Sequence, residues 1–244
     1  MFNISLKKIF KYKIRRFTES KYDSSIDSNF EFVKDLREKG FYKRKSFYKD
    51  NVLAQNIIND YDNISKDFLS EKANTLFTKE GRYNYRIYIT EKFNKSLLLE
   101  YANQKIFFEN FEQYFGLKPH VRFISIWLDY PTKNEEEKNS QLFHRDYDDV
   151  FLVKTFLCLT NINENNGPFQ FMPTSHIDPW KKNINFYLKK NKIVNMTANK
   201  GDLYMADTNG FHKGKKLLSG FRVLLNVHYA SDNPMAEPPI QIVN

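Results

Sequence analysis

From His120 onward, short runs rich in β-branched and aromatic residues follow one another, with turn-forming residues between them. The runs cover 121–128, 151–159, 169–172, 192–197, 203–206 and 221–229. Asn165-Asn166-Gly167-Pro168, Lys200-Gly201-Asp202 and Thr208-Asn209-Gly210 separate several of them. No helical pattern alternates with these runs, which disfavours a parallel α/β sheet and predicts a β-sandwich or barrel. Before residue 120 the period differs. Phe30, Val33 and Leu36 within 27–39, and Leu98, Tyr101, Ile106 and Phe115 within 97–115, recur at helical spacing. Gly116 and Pro119 supply a stop to the second segment. The expectation is one domain over 1–244: a helix-rich part at 1–119, a β-barrel core at 120–230 and a tail at 231–244.

Composition narrows the class. Aromatic residues make up 16% of the chain, which argues against global disorder. The lone cysteine, Cys158, excludes an intramolecular disulfide and a cysteine-based zinc site, and fits a small core residue in a reducing compartment. No uncharged run approaches the roughly 18 residues of a membrane span. Lys7, Lys8 and Lys11 interrupt what would be the apolar centre of a signal peptide, so a cytoplasmic protein is expected. The net charge of +9 is concentrated: Lys7, Lys8, Lys11, Lys13, Arg15 and Arg16 precede the first acid, Glu19, and leave +3 for the rest. Apolar residues interleave with these cations. Segment 7–16 therefore fits a peripheral membrane or protein contact, and equally a solvated end packing its aromatics on the domain. No nucleic-acid-binding signature accompanies the charge. Two polar inserts, 132–140 and 177–191 (with Trp180 and Tyr187), are either lids or solvated connectors.

The chemistry concentrates in 141–149, Gln-Leu-Phe-His-Arg-Asp-Tyr-Asp-Asp. His144 and Asp146 are two residues apart, and on a strand that puts imidazole and carboxylate on one face. A second histidine from an adjacent strand completes two imidazoles and one carboxylate. That set leaves three positions open on an octahedral ion, as non-haem Fe(II) oxygen chemistry requires. His212 follows the run at 203–206, and Arg222 opens the last long apolar run. An arginine there needs a buried anion or an exit to solvent. A dicarboxylate co-substrate would serve, and so would an ion pair with Asp202 or Asp207.

These segments, together with Lys154-Thr-Phe-Leu-Cys-Leu-Thr-Asn, Asn165-Asn-Gly-Pro168, Pro173-Thr-Ser-His176 and Gly201-Asp-Leu, resemble the phytanoyl-CoA dioxygenase family over about residues 120–230. The resemblance implies a mainly β chain, a double-stranded β-helix (a jelly-roll, cupin-like barrel) flanked by helices. It implies an Fe(II)/2-oxoglutarate-dependent dioxygenase that uses O2, hydroxylates a C–H bond and releases succinate and CO2. His144, Asp146 and His212 would be the iron ligands, and Arg222 would hold the distal carboxylate of 2-oxoglutarate. Gln141, Ile126 and Phe156 fall where the family contacts the co-substrate; for Gln141 the alternative is a loop amide satisfied by backbone. Relatives often carry a hydroxyl residue where Gly214 stands, so a second contact to the distal carboxylate is missing from the pattern. Retention of Asp146 favours hydroxylation over halogenation.

Lys154 is expected to snorkel, to pair with Asp148 or Asp149, or to meet an anionic substrate or co-substrate group. His120, His176 and His228 are expected to be structural. The substrate would be a small molecule or a carrier-linked group. The alternatives are oxidation of a saccharide or lipid intermediate at a membrane surface, or a barrel that has lost catalysis and acts as a binding module.

Overall fold

The computed structural model describes residues 31–72, 85–132, 136–146, 149, 151–177, 183–190, 192–231 and 241–242. The basic segment 7–16, Trp180 and Asp148 lie outside the described residues. In chain order the elements are α1 (Glu31–Lys39), β1 (Phe41–Arg44), α2 (Val52–Lys72), β2 (Arg86–Tyr88), α3 (Lys95–Ala102), α4 (Lys105–Phe115) and β3 (Pro119–Asp129). The second half holds β4 (Leu152–Cys158), β5 (Phe169–Phe171), α5 (Ile184–Lys190), β6 (Val194–Met196), β7 (Leu203–Asp207), β8 (His212–Gly214), β9 (Arg222–Ser231) and β10 (Gln241–Ile242).

The strands form two sheets. The larger runs β1-β7-β4-β9-β3-β10, with β2 also on β3; the smaller runs β6-β5-β8. A backbone pair between His144 and His212 carries the smaller sheet one segment further. From β3 onward the chain passes back and forth between the sheets, and apart from β10 on β3 the pairings are antiparallel. This is the double-stranded β-helix, with helices on one side, as expected.

The pleat explains how one strand serves two cores. In β9, Val223, Leu225, Val227 and Tyr229 face the helices, where they join Phe107, Phe111 and Phe115 of α4. The Tyr229 ring lies 4.6 Å from Phe111, and its hydroxyl donates to the Ala102 carbonyl at 2.8 Å. Leu224 faces the barrel interior, with Trp127, Phe156, Phe169 and Tyr204. Strand alternation then sends Arg222, Asn226 and His228 to that interior as well. The helical layer thus fixes which residues of β9 look into the barrel. Phe111→Ala would cost about 3–5 kcal/mol by opening this layer.

Several local expectations change. The segment 97–115 is two helices, because the chain turns at Asn103-Gln104, where the Asn103 amide donates to the Leu99 carbonyl. The second helix ends at Gly116, whose φ of 68° is the left-handed conformation that glycine adopts without strain. β1 and β2 lie within the part expected to be helical; at four and three residues they are too short for a period to show. The insert 177–191 contains α5, which docks Tyr187 on Phe211 and Met172. Among the described residues, no helix is long and apolar enough to cross a membrane.

Candidate active site

His144 and His212 face each other across a two-way backbone pair, with N···O distances of 2.9 and 3.0 Å. Their ring centroids are 4.3 Å apart. The Asp146 amide donates to the Thr208 carbonyl at 2.8 Å, which keeps the next residues in register with the loop before β8. His144, Asp146 and His212 thereby converge, each offering one ligand atom within 4.8 Å of the others. His212 Nε2 is 3.4 Å from Asp146 Oδ2, and His144 Nε2 is 3.8 Å from Oδ1.

The ring orientations suit a metal. His144 Nδ1 lies 2.8 Å from the Leu142 carbonyl and His212 Nδ1 lies 2.9 Å from the Gly210 carbonyl. A carbonyl only accepts, so each Nδ1 carries the proton and each Nε2 turns its lone pair inward. Burial, with His212 nearby, pushes the His144 pKa down to about 4, so its ring is neutral near pH 7. Burial works against the Asp146 carboxylate, but Lys154, His212 and His144 outweigh it and hold the acid well below the usual range. Neutral imidazole and ionised carboxylate are the forms that ligate.

Arg145, between the ligands, points the other way. It donates to the Ser175 and Asn209 carbonyls at 2.6 and 2.5 Å, and its guanidinium lies 3.9 Å from the Phe211 ring centroid. It pins the ligand-bearing segment to the loops at 172–177 and 207–211.

At the barrel floor, Arg222 is opposite Asp129 in the β3–β9 register. Its Nε and Nη2 donate to Asp129 Oδ2 at 2.9 and 2.7 Å. Asp129, fully buried, also receives Nε and Nη2 of Arg86 at 2.7 and 3.0 Å. The Arg86 guanidinium lies 4.1 Å from the Trp127 ring centroid. Burial would raise the Asp129 pKa; the two guanidinium groups overcome it and lower it. Two arginines around one carboxylate leave a net positive charge. Arg222 Nη1, Trp127 Nε1 and the Tyr204 hydroxyl are buried there without partners. Three such donors beside a surplus positive charge fit one carboxylate. Gly214, two residues past His212, makes room: a Cβ there would come within 2.8 Å of Arg222 Nη2. Two residues of strand are about 6.6 Å, so the guanidinium lies one inward-facing position below the distal histidine.

The structure revises several sequence-based expectations. Arg222 pairs with Asp129, because Asp202 is taken up by the amides of Ser46 and Asn199, and Asp207 by the Tyr114 hydroxyl and the Asn209 amide. Ile126 lies on the helix side of β3, among the outer core; the pleat gives the inward position to Trp127. Phe156 does face the interior, with its ring stacked 4.7 Å from Tyr204. Gln141 is buried and its Oε1 accepts from the Lys138 amide at 3.2 Å, closing a turn. Lys154 pairs with Asp146 at 2.6 Å. His228 is half-buried on the interior face and its Nδ1 has no partner, so it is not a hydrogen-bonded core residue at that atom. His176 is structural, with Nε2 3.1 Å from the Arg37 carbonyl. Asp129, Arg86 and Arg145 were missed. Asp129 carried a usable signal, an acid closing an apolar strand as Arg222 opens one, but their register is not visible in sequence.

No family model matches the chain, and no curated protein matches it by sequence. Solved structures do match in fold. AviO1 from Streptomyces viridochromogenes Tue57 is similar over 88% of this chain and 100% of its own, at 16% identity and a TM-score of 0.60. The non-heme alpha ketoglutarate dependent epimerase SnoN from nogalamycin biosynthesis is similar over 85% of this chain and 84% of its own, at 14% identity and a TM-score of 0.59. EctD from S. alaskensis, in a structure with bound Fe, is similar over 87% of this chain and 80% of its own, at 14% identity and a TM-score of 0.60. At these identities the likeness establishes a shared fold, the double-stranded β-helix built around His144, Asp146 and His212 here.

Proposed function

We propose that this chain is an Fe(II)/2-oxoglutarate-dependent oxygenase that hydroxylates a C–H bond of a small-molecule or carrier-linked metabolite. One juxtaposition carries the reading: two imidazoles and a carboxylate converge on one side of the barrel interior, and an arginine with a free, buried Nη1 lies at its floor. The similar folds of SnoN, described as alpha ketoglutarate dependent, and of EctD, solved with 2-oxoglutarate and 5-hydroxyectoine, support it.

His144, Asp146 and His212 would hold the iron, leaving positions for the co-substrate and O2. Iron with 2-oxoglutarate supplies O2 activation, oxidative decarboxylation to succinate and CO2, and oxidation of the substrate. The protein's part is placement. The Leu142 and Gly210 carbonyls fix the imidazole tautomers, and Arg145 holds the ligand segment. Arg222, aimed by Asp129, receives the distal carboxylate through Nη1, with the Trp127 N–H and Tyr204 hydroxyl beside it. Phe156 and Phe169 dry the space between, Phe169 stacking 5.4 Å from His212.

The test is succinate formation from 2-oxoglutarate with Fe(II) under air, alone and with a metabolite panel. Wild type should produce succinate and His144→Ala should not. Absence of both iron binding and turnover in wild type would leave the barrel as a binding module.

A further inference from the structure

Beyond its ion pair with Asp146, Lys154 has no part in the roles above. It extends into the barrel from β4, on the face shared by Phe156 and Cys158, with its side chain 16% exposed. Nζ is 2.6 Å from Asp146 Oδ2, yet that oxygen has no aligned hydrogen bond. Among the described residues Lys154 donates no hydrogen bond, and its one ion pair is with Asp146. Its cross-strand neighbours are Ala206 on β7 and His228 on β9, neither of them an acid. Burial, then the Lys154 charge, pushes His228 far below its ordinary pKa, so it is a neutral neighbour. A largely buried ammonium needs an acceptor, and a divalent ion on Asp146 would draw charge away from the one it has.

Charge balance identifies what is missing. At the floor, Arg86 and Arg222 against Asp129 leave one positive charge, matched by the distal carboxylate of 2-oxoglutarate. At the ligand set, Asp146 and the proximal carboxylate match the two charges of Fe(II). Among the described residues that face the ligand set, Lys154 is then the cation whose one acid partner is itself a metal-ligand candidate. One carboxylate of a ligand would give this ammonium a counter-charge of its own.

We propose that Lys154 binds a carboxylate of the substrate beside the metal position, so that the substrate is a carboxylic acid. This rests on the oxygenase reading and adds a substrate class to it.

The experiment is anaerobic calorimetry on the full chain, loaded with Fe(II) and saturated with 2-oxoglutarate. The probes are hexanoate, benzoate and L-leucine, each paired with its primary amide. At least one acid should bind wild type about tenfold more tightly than its amide, as a charge-assisted hydrogen bond predicts. The ratio should fall to near one in Lys154→Met and return in Lys154→Arg. Lys154→Gln carries the same comparison if the methionine variant does not fold.

No acid preference in wild type, or a preference that survives in Lys154→Met, overturns the proposal. So does weaker 2-oxoglutarate binding in Lys154→Met, which would assign the ammonium to the co-substrate. The visible charge-transfer band of wild type with Fe(II) and 2-oxoglutarate is a separate arm. If the band never forms, the oxygenase reading falls and takes this one with it. If it forms without acid preference, only the role of Lys154 falls.

Discussion

Arg222 gives two nitrogens to a single oxygen of Asp129, at 2.9 and 2.7 Å, and keeps Nη1 buried without a partner. The carboxylate thus fixes the plane of the guanidinium and leaves one edge for a ligand. Asp129→Asn should destabilise the fold by about 3–5 kcal/mol, because two buried guanidinium groups lose their common counter-charge. Chemical denaturation checks this. The same variant should bind 2-oxoglutarate more weakly, through an arginine no longer held in place.

Gly214→Ala separates folding from co-substrate binding. The added methyl would come within 2.8 Å of Arg222 Nη2, the far end of a long side chain and not backbone. The variant should fold with a modest loss of melting temperature, since Nη2 also donates to Asp129, while 2-oxoglutarate affinity falls roughly tenfold, the scale of one charge-assisted hydrogen bond. Calorimetry beside a thermal melt measures both.

Arg145→Met tests whether the ligand segment is positioned from behind. Its guanidinium touches no ligand atom; it ties the segment to the Ser175 and Asn209 carbonyls. Metal affinity should drop about 10–100-fold, the usual cost of losing an outer-shell support. Mn(II) titration followed by electron paramagnetic resonance reads it without turnover.

Acid should weaken the metal-free protein. Burial lowers the pKa of His144 to about 4, and that of His228 well below its ordinary value. An unfolded chain binds protons at these histidines below about pH 6.5, where the folded chain does not, so stability falls as pH drops from there toward 4. Asp146, with its pKa depressed, adds a further loss below about pH 4, where the unfolded carboxyl protonates first. The urea midpoint should decline over this range, and His228→Leu should flatten the decline.

Much of this was legible in the sequence, and what was not has a physical cause. The strand runs at 121–128, 151–159 and 221–229 were visible because each is long and half of it packs on helices, and the spacing of His144 and Asp146 marked two of the three residues that the structure brings together with His212. Partners across the sheets were hidden. Asp129 and Arg222 meet only through the β3–β9 register, and Arg86 reaches them from a three-residue strand. Ile126 and Trp127 differ by one position and occupy opposite faces, a distinction that a run of apolar residues cannot reveal.

The backbone pair between His144 and His212 has a consequence for the smaller sheet. The two histidines belong to segments with β4 through β7 between them in the chain, so their mutual hydrogen bonds close a long loop. A metal held by both rings would act as a clasp on that loop. Amide exchange at His144 and His212 should slow markedly on adding metal, while β9, held between β3 and β4, should exchange slowly with or without it.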